Sequence, residues 1–148
     1  MNISERFNRI KSIEQMYEAA KAALAHYLKD CRDNPTLLIG ASFTTREVRE
    51  CIYDLEDAFL IRIFAEFEAT LRDYWKRGCR RKSQPWAKIL IDSIAARCFA
   101  RESDLAYVHE VREYRNSLLH EGNLPRRITV QQARSCLCVF LSHLPRDW

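Results

Sequence analysis

Residues that interrupt helices are rare in this chain, and this scarcity limits its fold more than any other feature. Its 148 residues include only three glycines and four prolines. Apolar residues recur every three or four positions, and the alternation typical of strands is absent. A chain of this length, 47% hydrophobic and 30% charged, can bury one core. We therefore predict an all-α fold: an antiparallel bundle of about five helices, forming a single domain over residues 1–148.

Capping and termination signals define the first two helices. The first is predicted to end at residues 33–35, Asp-Asn-Pro, and carries an apolar stripe of Ile3, Phe7, Ile10, Tyr17, Leu24, Leu28 and Cys31. The second opens with the capping box Thr44-x-x-Glu47 and continues until Gly78 ends it. Its middle, residues 59–67, is apolar on more than one face. This helix therefore lies at the centre of the bundle or is covered by a partner chain.

The third and fifth helices follow from similar signals. The basic stretch 76–82 is predicted to form an exposed connection, after which Ser83 and Pro85 start the third helix. That helix carries the apolar residues Trp86, Ile89, Leu90, Ile94 and Phe99. The fifth begins with the capping box Thr129-x-x-Gln132 and ends at Pro145.

No segment has the pattern of a membrane span or an export signal. The longest apolar runs, such as residues 59–61 and 89–91, are interrupted by charges well before the roughly 20 residues that a span requires. The N-terminus lacks an apolar signal core. We expect a soluble chain in the cytoplasm, without a membrane partner.

The net charge of +4 is mild and does not by itself indicate a polyanionic partner. Of the 24 basic residues, however, 18 are arginines, the cation that makes planar, two-pronged contacts with phosphate. A genome rich in G and C would produce the same bias. Nucleic-acid binding and this compositional explanation both stay open, and a basic stripe is missing from the sequence pattern.

The six cysteines do not form a metal-binding pattern, because no pair has the two-residue spacing typical of zinc sites. Cys136 and Cys138 would point about 200° apart on a helix. We interpret the cysteines as reduced thiols used as small hydrophobic residues, and we predict no metal site and no cofactor.

The fourth helix is predicted from Leu105 to His120, with Ser103 as its cap and Gly122 as a left-handed terminator. Its core face holds Tyr107, Val111, Tyr114 and Leu118.

Cationic and hydrogen-bonding groups converge along one ridge of its last turns. Arg112, Asn116 and His120 form a stripe at four-residue spacing, with His109 nearby. Arg115 falls at the edge of the apolar face, where a guanidinium is costly unless it reaches solvent or an anion. The side chains of Arg115 and His120 start about 140° apart and about 7.5 Å apart along the axis. The two can therefore address one phosphate, while Asn116 orients the imidazole or holds a phosphate oxygen.

The segment Arg115-Asn116-x-x-x-His120 resembles the signature of the HEPN domains found in prokaryotic toxins, defence systems and RNA-processing proteins. These domains are helical bundles with the motif near the end of a late helix and one further helix after it. Residues 64–69, Phe-Ala-Glu-Phe-Glu-Ala, are similar to the F-E-A stretch in the second helix of some subfamilies. That likeness implies that Glu68 or Glu66 lies near the site.

The resemblance implies a metal-independent endoribonuclease that cuts single-stranded or loop RNA by attack of the 2′-hydroxyl on the adjacent phosphorus. Arg115, Asn116 and His120 are then the catalytic residues. One motif supplies one histidine, so we predict a symmetric homodimer in which two copies of the fourth helix face one cleft. The expected partners are RNA and an antitoxin or defence-system protein. Candidate substrate-binding residues are Arg112, Arg126, Arg127, Glu68 and His109, the last as a less favoured second proton carrier.

Each motif residue also has an ordinary structural interpretation. His120 suits the negative end of a helix, Arg115 can pair with a glutamate, and Asn116 can bond backbone carbonyls. The alternative function is a catalytically inactive HEPN-like module that binds RNA or protein. The retained motif favours the enzyme, and the modest charge favours the module.

Overall fold

Five α-helices make up the part of the chain that the structure, a computed structural model, describes: residues 2–120 and 126–148. They are α1 (Ile3–Asp33), α2 (Thr45–Arg77), α3 (Ala87–Cys98), α4 (Glu102–Leu119) and α5 (Val130–Leu141), with a short 3-10 helix at Pro35–Leu38. No strand occurs within these residues. The predicted all-α bundle is confirmed.

Side chains cap α1, α2 and α5, and the caps of α2 and α5 are the predicted ones. Asn2 Oδ1 accepts a hydrogen bond from the Glu5 N–H at 3.0 Å in front of α1. Thr44 forms the predicted capping box of α2 and Thr129 that of α5, each satisfying backbone donors that the first helical turn leaves unpaired.

The starts of α3 and α4 differ from the prediction. Ser83 does not cap α3, because its hydroxyl accepts a hydrogen bond from Trp75 Nε1 at 3.2 Å and is held against α2. The third helix therefore begins later, at Ala87. α4 begins at Glu102, so Ser103 lies inside its first turn instead of capping it.

Of the predicted helix ends, that of α2 is confirmed and that of α5 needs correction. Gly78 is the C-cap of α2, with a φ of −72°. Glycine is required there by space, because a Cβ would lie 2.5 Å from the Tyr74 ring. α5 ends at Leu141, before Pro145. The predicted terminator Gly122 lies outside the described residues.

α2 is the central helix, since it packs against α1, α3, α4 and α5. Its wide apolar surface is buried within the chain, mainly through Leu60, Ile63, Phe64, Phe67 and Leu71. Each such side chain contributes about 1.5–3 kcal/mol when it is fully buried. None of the described helices combines the length and apolarity needed to cross a membrane.

A buried cation fixes α1 onto α2. Arg6 Nη1 lies 3.3 Å from Glu66 Oε1, and Arg6 Nη2 lies 3.2 Å from Asp73 Oδ2. Glu66 therefore has a structural role at the α1 interface.

Candidate functional site

The motif residues lie at the C-terminal end of α4. Arg112, Arg115 and Asn116 belong to its last turns, and the helix ends at Leu119. His120 is the C-cap: its φ of −129° and ψ of 136° are extended, and its N–H donates to the Asn116 carbonyl at 3.2 Å. The His120 side chain is thus exposed at the point where the chain leaves the helix.

One groove of about 660 Å³ brings these residues together with three other parts of the chain. This volume suits a nucleotide-sized ligand. The groove lies between α2, the connection to α3, the first turn of α3 and the end of α4. Its lining residues are Glu68, Arg72, Gln84, Pro85, Trp86, Ala87, Lys88, Arg112, Arg115, Asn116 and His120. Four lysine and arginine residues face one carboxylate, so the groove attracts anions.

Arg115 is held on both sides. Its guanidinium carbon lies 5.7 Å from the centre of the Phe64 ring, and its Nη1 donates to Asn116 Oδ1 at 3.0 Å. Its buried Nε has no acceptor among the described residues, and no ion pair to a glutamate forms within them. A half-buried guanidinium without a protein counter-charge is a site where a phosphate can bind.

Arg112 is oriented by a hydrogen-bond chain from α3. His109 Nε2 lies 2.6 Å from Asp92 Oδ1, and Arg112 Nε donates to His109 Nδ1 at 3.4 Å. Both bonds form when the imidazole is neutral and its proton is on Nε2, since Nδ1 must then accept. His109 therefore lies behind the groove, where it positions Arg112, and does not line the groove itself.

The predicted acidic residues separate onto two faces of α2. Glu68 lines the groove and pairs with Arg72 one turn later. Glu66 binds Arg6 and Arg9 on α1. Of the two candidates in the F-E-A stretch, only Glu68 lies near the motif.

Arg126 and Arg127 do not join the motif residues. They line a separate groove of about 380 Å³ with Tyr107 and Glu110, and Arg127 pairs with Glu56 at 3.2 Å. The two predicted substrate-binding arginines therefore lie apart from the groove that holds Arg115 and His120. Tyr107 is exposed there and does not belong to the core, contrary to the prediction.

Several groove residues were not identified from the sequence: Arg72, Gln84, Trp86 and Lys88. Trp86 is the most informative, since it is 82% exposed at the start of α3 although it was assigned to that helix's apolar set. Ile89 and Phe99 are likewise exposed, whereas Leu90 and Ile94 are buried. The high density of basic residues from 76 to 88 is the sequence feature that could have indicated that this segment lines the groove.

Tyr114 is excluded as a proton carrier near neutral pH. Its hydroxyl donates to Asp57 Oδ1 at 3.1 Å. Burial, with the nearby Asp57 carboxylate, raises the pKa of Tyr114 to about 12. His120 is therefore the motif's own candidate for proton exchange.

No family model, curated protein or solved structure matches this chain. What the fold and the site define is a class: an all-helical chain with a solvent-open, cationic groove that holds a guanidinium, an amide and an imidazole.

Proposed function

We propose that this chain is a metal-independent endoribonuclease of the HEPN type. The observation that carries the proposal is that Arg115, Asn116 and His120 line one open groove, together with Arg112. The proposed reaction forms a bond from the 2′-oxygen of RNA to the adjacent phosphorus and breaks the bond to the 5′-oxygen. The products are a cyclic phosphate and a 5′-hydroxyl.

The cations suit the change in charge during this reaction. The phosphate carries one negative charge, and the phosphorane gains a second as the 2′-oxygen attacks. Both guanidinium groups are held in place before substrate binds. Phe64 and Asn116 hold that of Arg115, and His109 holds that of Arg112. Preorganised donors of this kind are worth about 100- to 1,000-fold in rate.

Two proton transfers are needed, and one groove supplies one exposed imidazole. A base must take the proton of the 2′-hydroxyl, and an acid must protonate the departing 5′-oxygen. His120 serves one step, and His120 of a second copy serves the other in a symmetric homodimer. The half-exposed Leu119, next to His120, supports a contact between copies beside the groove.

The test is cleavage of a structured RNA in EDTA by wild type, Arg115→Ala and His120→Ala. Each substitution is expected to reduce the rate at least about 100-fold. His26→Ala and Arg49→Ala remove the same groups from exposed positions elsewhere and are expected to retain full activity. Circular dichroism melts verify that the variants fold, and Arg115→Lys, which keeps the charge but not the fork, adds a milder change.

Equal cleavage by wild type and by both groove variants would remove the assigned site. Loss of wild-type cleavage in EDTA would instead overturn the metal-free mechanism.

The proposed cellular setting is a toxin or a phage-defence effector, with an antitoxin or defence protein as partner. Induced expression should then arrest growth, and His120→Ala should relieve the arrest. Growth arrest that persists in His120→Ala argues against this setting.

A specific observation favours one other function, that of an inactive RNA-binding module. Arg115 Nη1 is already bonded to Asn116 and its Nε is buried, so only part of the guanidinium reaches the groove. Tight RNA binding without cleavage, weakened by Arg115→Ala, would identify this function.

A further inference from the structure

The positive charge of this chain is concentrated in one segment. Residues 74–91 contain six lysine and arginine residues and no acidic residue, whereas the whole chain has a net charge of +4. The rest of the chain is therefore net −2. The expectation that the chain lacks a basic stripe is therefore wrong: the connection between α2 and α3, with its two flanking turns, forms one.

This connection is tied to α2 by hydrogen bonds along its length. The Arg81 N–H donates to the Trp75 carbonyl at 3.1 Å, and Trp75 Nε1 donates to Ser83 Oγ at 3.2 Å. Arg72 Nη1 donates to the Pro85 carbonyl at 3.2 Å. The basic side chains therefore extend from an ordered backbone.

A further pocket, of about 460 Å³, lies on this connection. It is lined by Lys76, Arg80, Arg81, Lys82, Ser83 and Gln84. Within residues 2–120 and 126–148, these four cations form no ion pair, whereas the neighbouring Arg77 pairs with Asp73 at 2.8 Å. Several uncompensated cations around one concavity attract phosphate groups.

Gln84 lines both this pocket and the motif groove, so the two adjoin. Trp86 borders the groove on the same wall, with 82% of its surface exposed. An exposed indole beside a line of cations is the combination that binds single-stranded nucleic acid: bases stack on the ring and phosphates follow the charges.

We propose that single-stranded RNA extends from the motif groove across Gln84 into this basic pocket. Phosphates outside the scissile nucleotides bind Arg80, Arg81 and Lys82 there. The inference rests on the proposed function, because that function puts an RNA phosphate in the motif groove. It adds that the site prefers a strand longer than a dinucleotide.

Binding is measured with wild-type protein and a 12-nucleotide RNA whose 2′-positions are all methylated, so that it resists 2′-attack. The variant combines R80Q, R81Q and K82Q. The control combines K29Q, R32Q and R49Q, which remove the same charge from exposed positions at the start of α2 and the end of α1. Cleavage of a ribodinucleotide is assayed in parallel.

We expect the connection variant to bind the 12-mer at least about tenfold more weakly, with a salt dependence shallower by about 2 logarithmic units per decade of salt. The control should stay close to wild type, and dinucleotide cleavage should be unchanged in both. Equal weakening in variant and control would overturn the proposal, as would equal affinity for a duplex of the same length. Binding to phosphatidylserine vesicles with no binding to the 12-mer would also overturn it.

The two proposals fail in different ways. If an unmodified RNA of the same 12 nucleotides is not cut but binding of the methylated 12-mer still depends on Arg80, Arg81 and Lys82, the strand path stands and the nuclease fails. If the dinucleotide is cut but the 12-mer binds equally to the variant and wild type, the strand path fails and the nuclease stands.

Discussion

Arg115 lies at the edge of the apolar face of α4, and its surroundings explain how a cation is kept there. The ring of Phe64 lies under the guanidinium, and Asn116 accepts one of its hydrogen bonds. The sequence predicted that Arg115 lies at the edge of the apolar face, because the spacing of residues along one helix fixes the face on which each of them lies. It could not indicate Phe64 as the neighbour, since that contact depends on how α2 and α4 pack.

The same limit applies to Trp86. Its apolar character placed it in the predicted core-facing set of the third helix, yet the helix begins one residue later and leaves it exposed. Whether Trp86 is exposed depends on the direction of α3 relative to α2. No local sequence pattern specifies that direction.

Trp86→Ala is expected to weaken the binding of single-stranded RNA by about 1–3 kcal/mol, the usual value of one base stacked on an aromatic ring. Trp86→Phe should retain part of the affinity. The melting temperature should not fall, since the side chain is largely in solvent. Fluorescence anisotropy with labelled RNA measures this effect. Phe99→Ala, 90% exposed at the other end of α3, is the matched control, and an equal loss of affinity in it would refute a specific role for Trp86.

Tyr114 predicts how stability depends on alkaline pH. Folding raises its pKa from 10.0 to about 12, so the folded chain holds the phenolic proton more tightly than the unfolded chain does. This contribution is complete below about pH 10 and is lost as the pH rises through about 12, so the free energy of unfolding should fall over that interval. The pKa of Tyr74 is also raised, mainly by burial, and adds to the fall.

Urea unfolding between neutral pH and pH 11 tests this. Tyr114→Phe should be less stable by about 1 kcal/mol at neutral pH, because the bond to Asp57 is lost. Its stability should then fall less steeply at alkaline pH. Tyr53→Phe, at an exposed position, should follow wild type. The same slope in Tyr114→Phe as in wild type would show that this residue is not responsible.

At the scale of helices and connections, local signals predicted some boundaries and missed others. The starts of α2 and α5 followed from capping boxes, which involve only four consecutive residues. The start of α3 did not, because Ser83 bonds Trp75 across the turn. A cap residue that finds a tertiary partner gives no local sign of it.

Arg72 is the side chain that ties the connection to α2 at Pro85. Arg72→Ala should loosen residues 79–86 and speed cleavage by trypsin after Arg80, Arg81 and Lys82, while the helical circular dichroism stays nearly unchanged. Arg77→Ala is the matched control, since Arg77 pairs with Asp73 within the same helix. Digestion at the same rate in both variants would contradict this role for Arg72.

For the whole molecule, composition predicted the fold class well and the distribution of charge poorly. The scarcity of glycine and proline was sufficient to predict a helical bundle. The wide apolar surface of α2 left open whether this helix is central or covered by a partner chain, and its packing against four helices shows that it is central. The net charge of +4 hid a strongly basic connection on an otherwise slightly acidic chain. The net charge of a chain does not show where its charges lie. Only the fold places residues 76–88 beside the motif.

The proposed dimer predicts that activity follows association. Leu119→Glu should lower the fraction of dimer in light scattering and reduce cleavage in proportion, because it introduces a charge beside His120 at the proposed contact. Val139→Glu, equally exposed but on α5, should stay dimeric. Full cleavage by a wild-type chain that is monomeric at the assay concentration would exclude the shared cleft.

The most direct test of the central claim is the chemistry of the cut ends. A DNA strand with a single ribonucleotide is incubated in EDTA with wild type and with His120→Ala, and the products are analysed by mass spectrometry. Cleavage only after the ribonucleotide, leaving a cyclic phosphate with wild type and no product with His120→Ala, is the predicted result. Cutting of an all-deoxy strand, or the same product from His120→Ala, would contradict it.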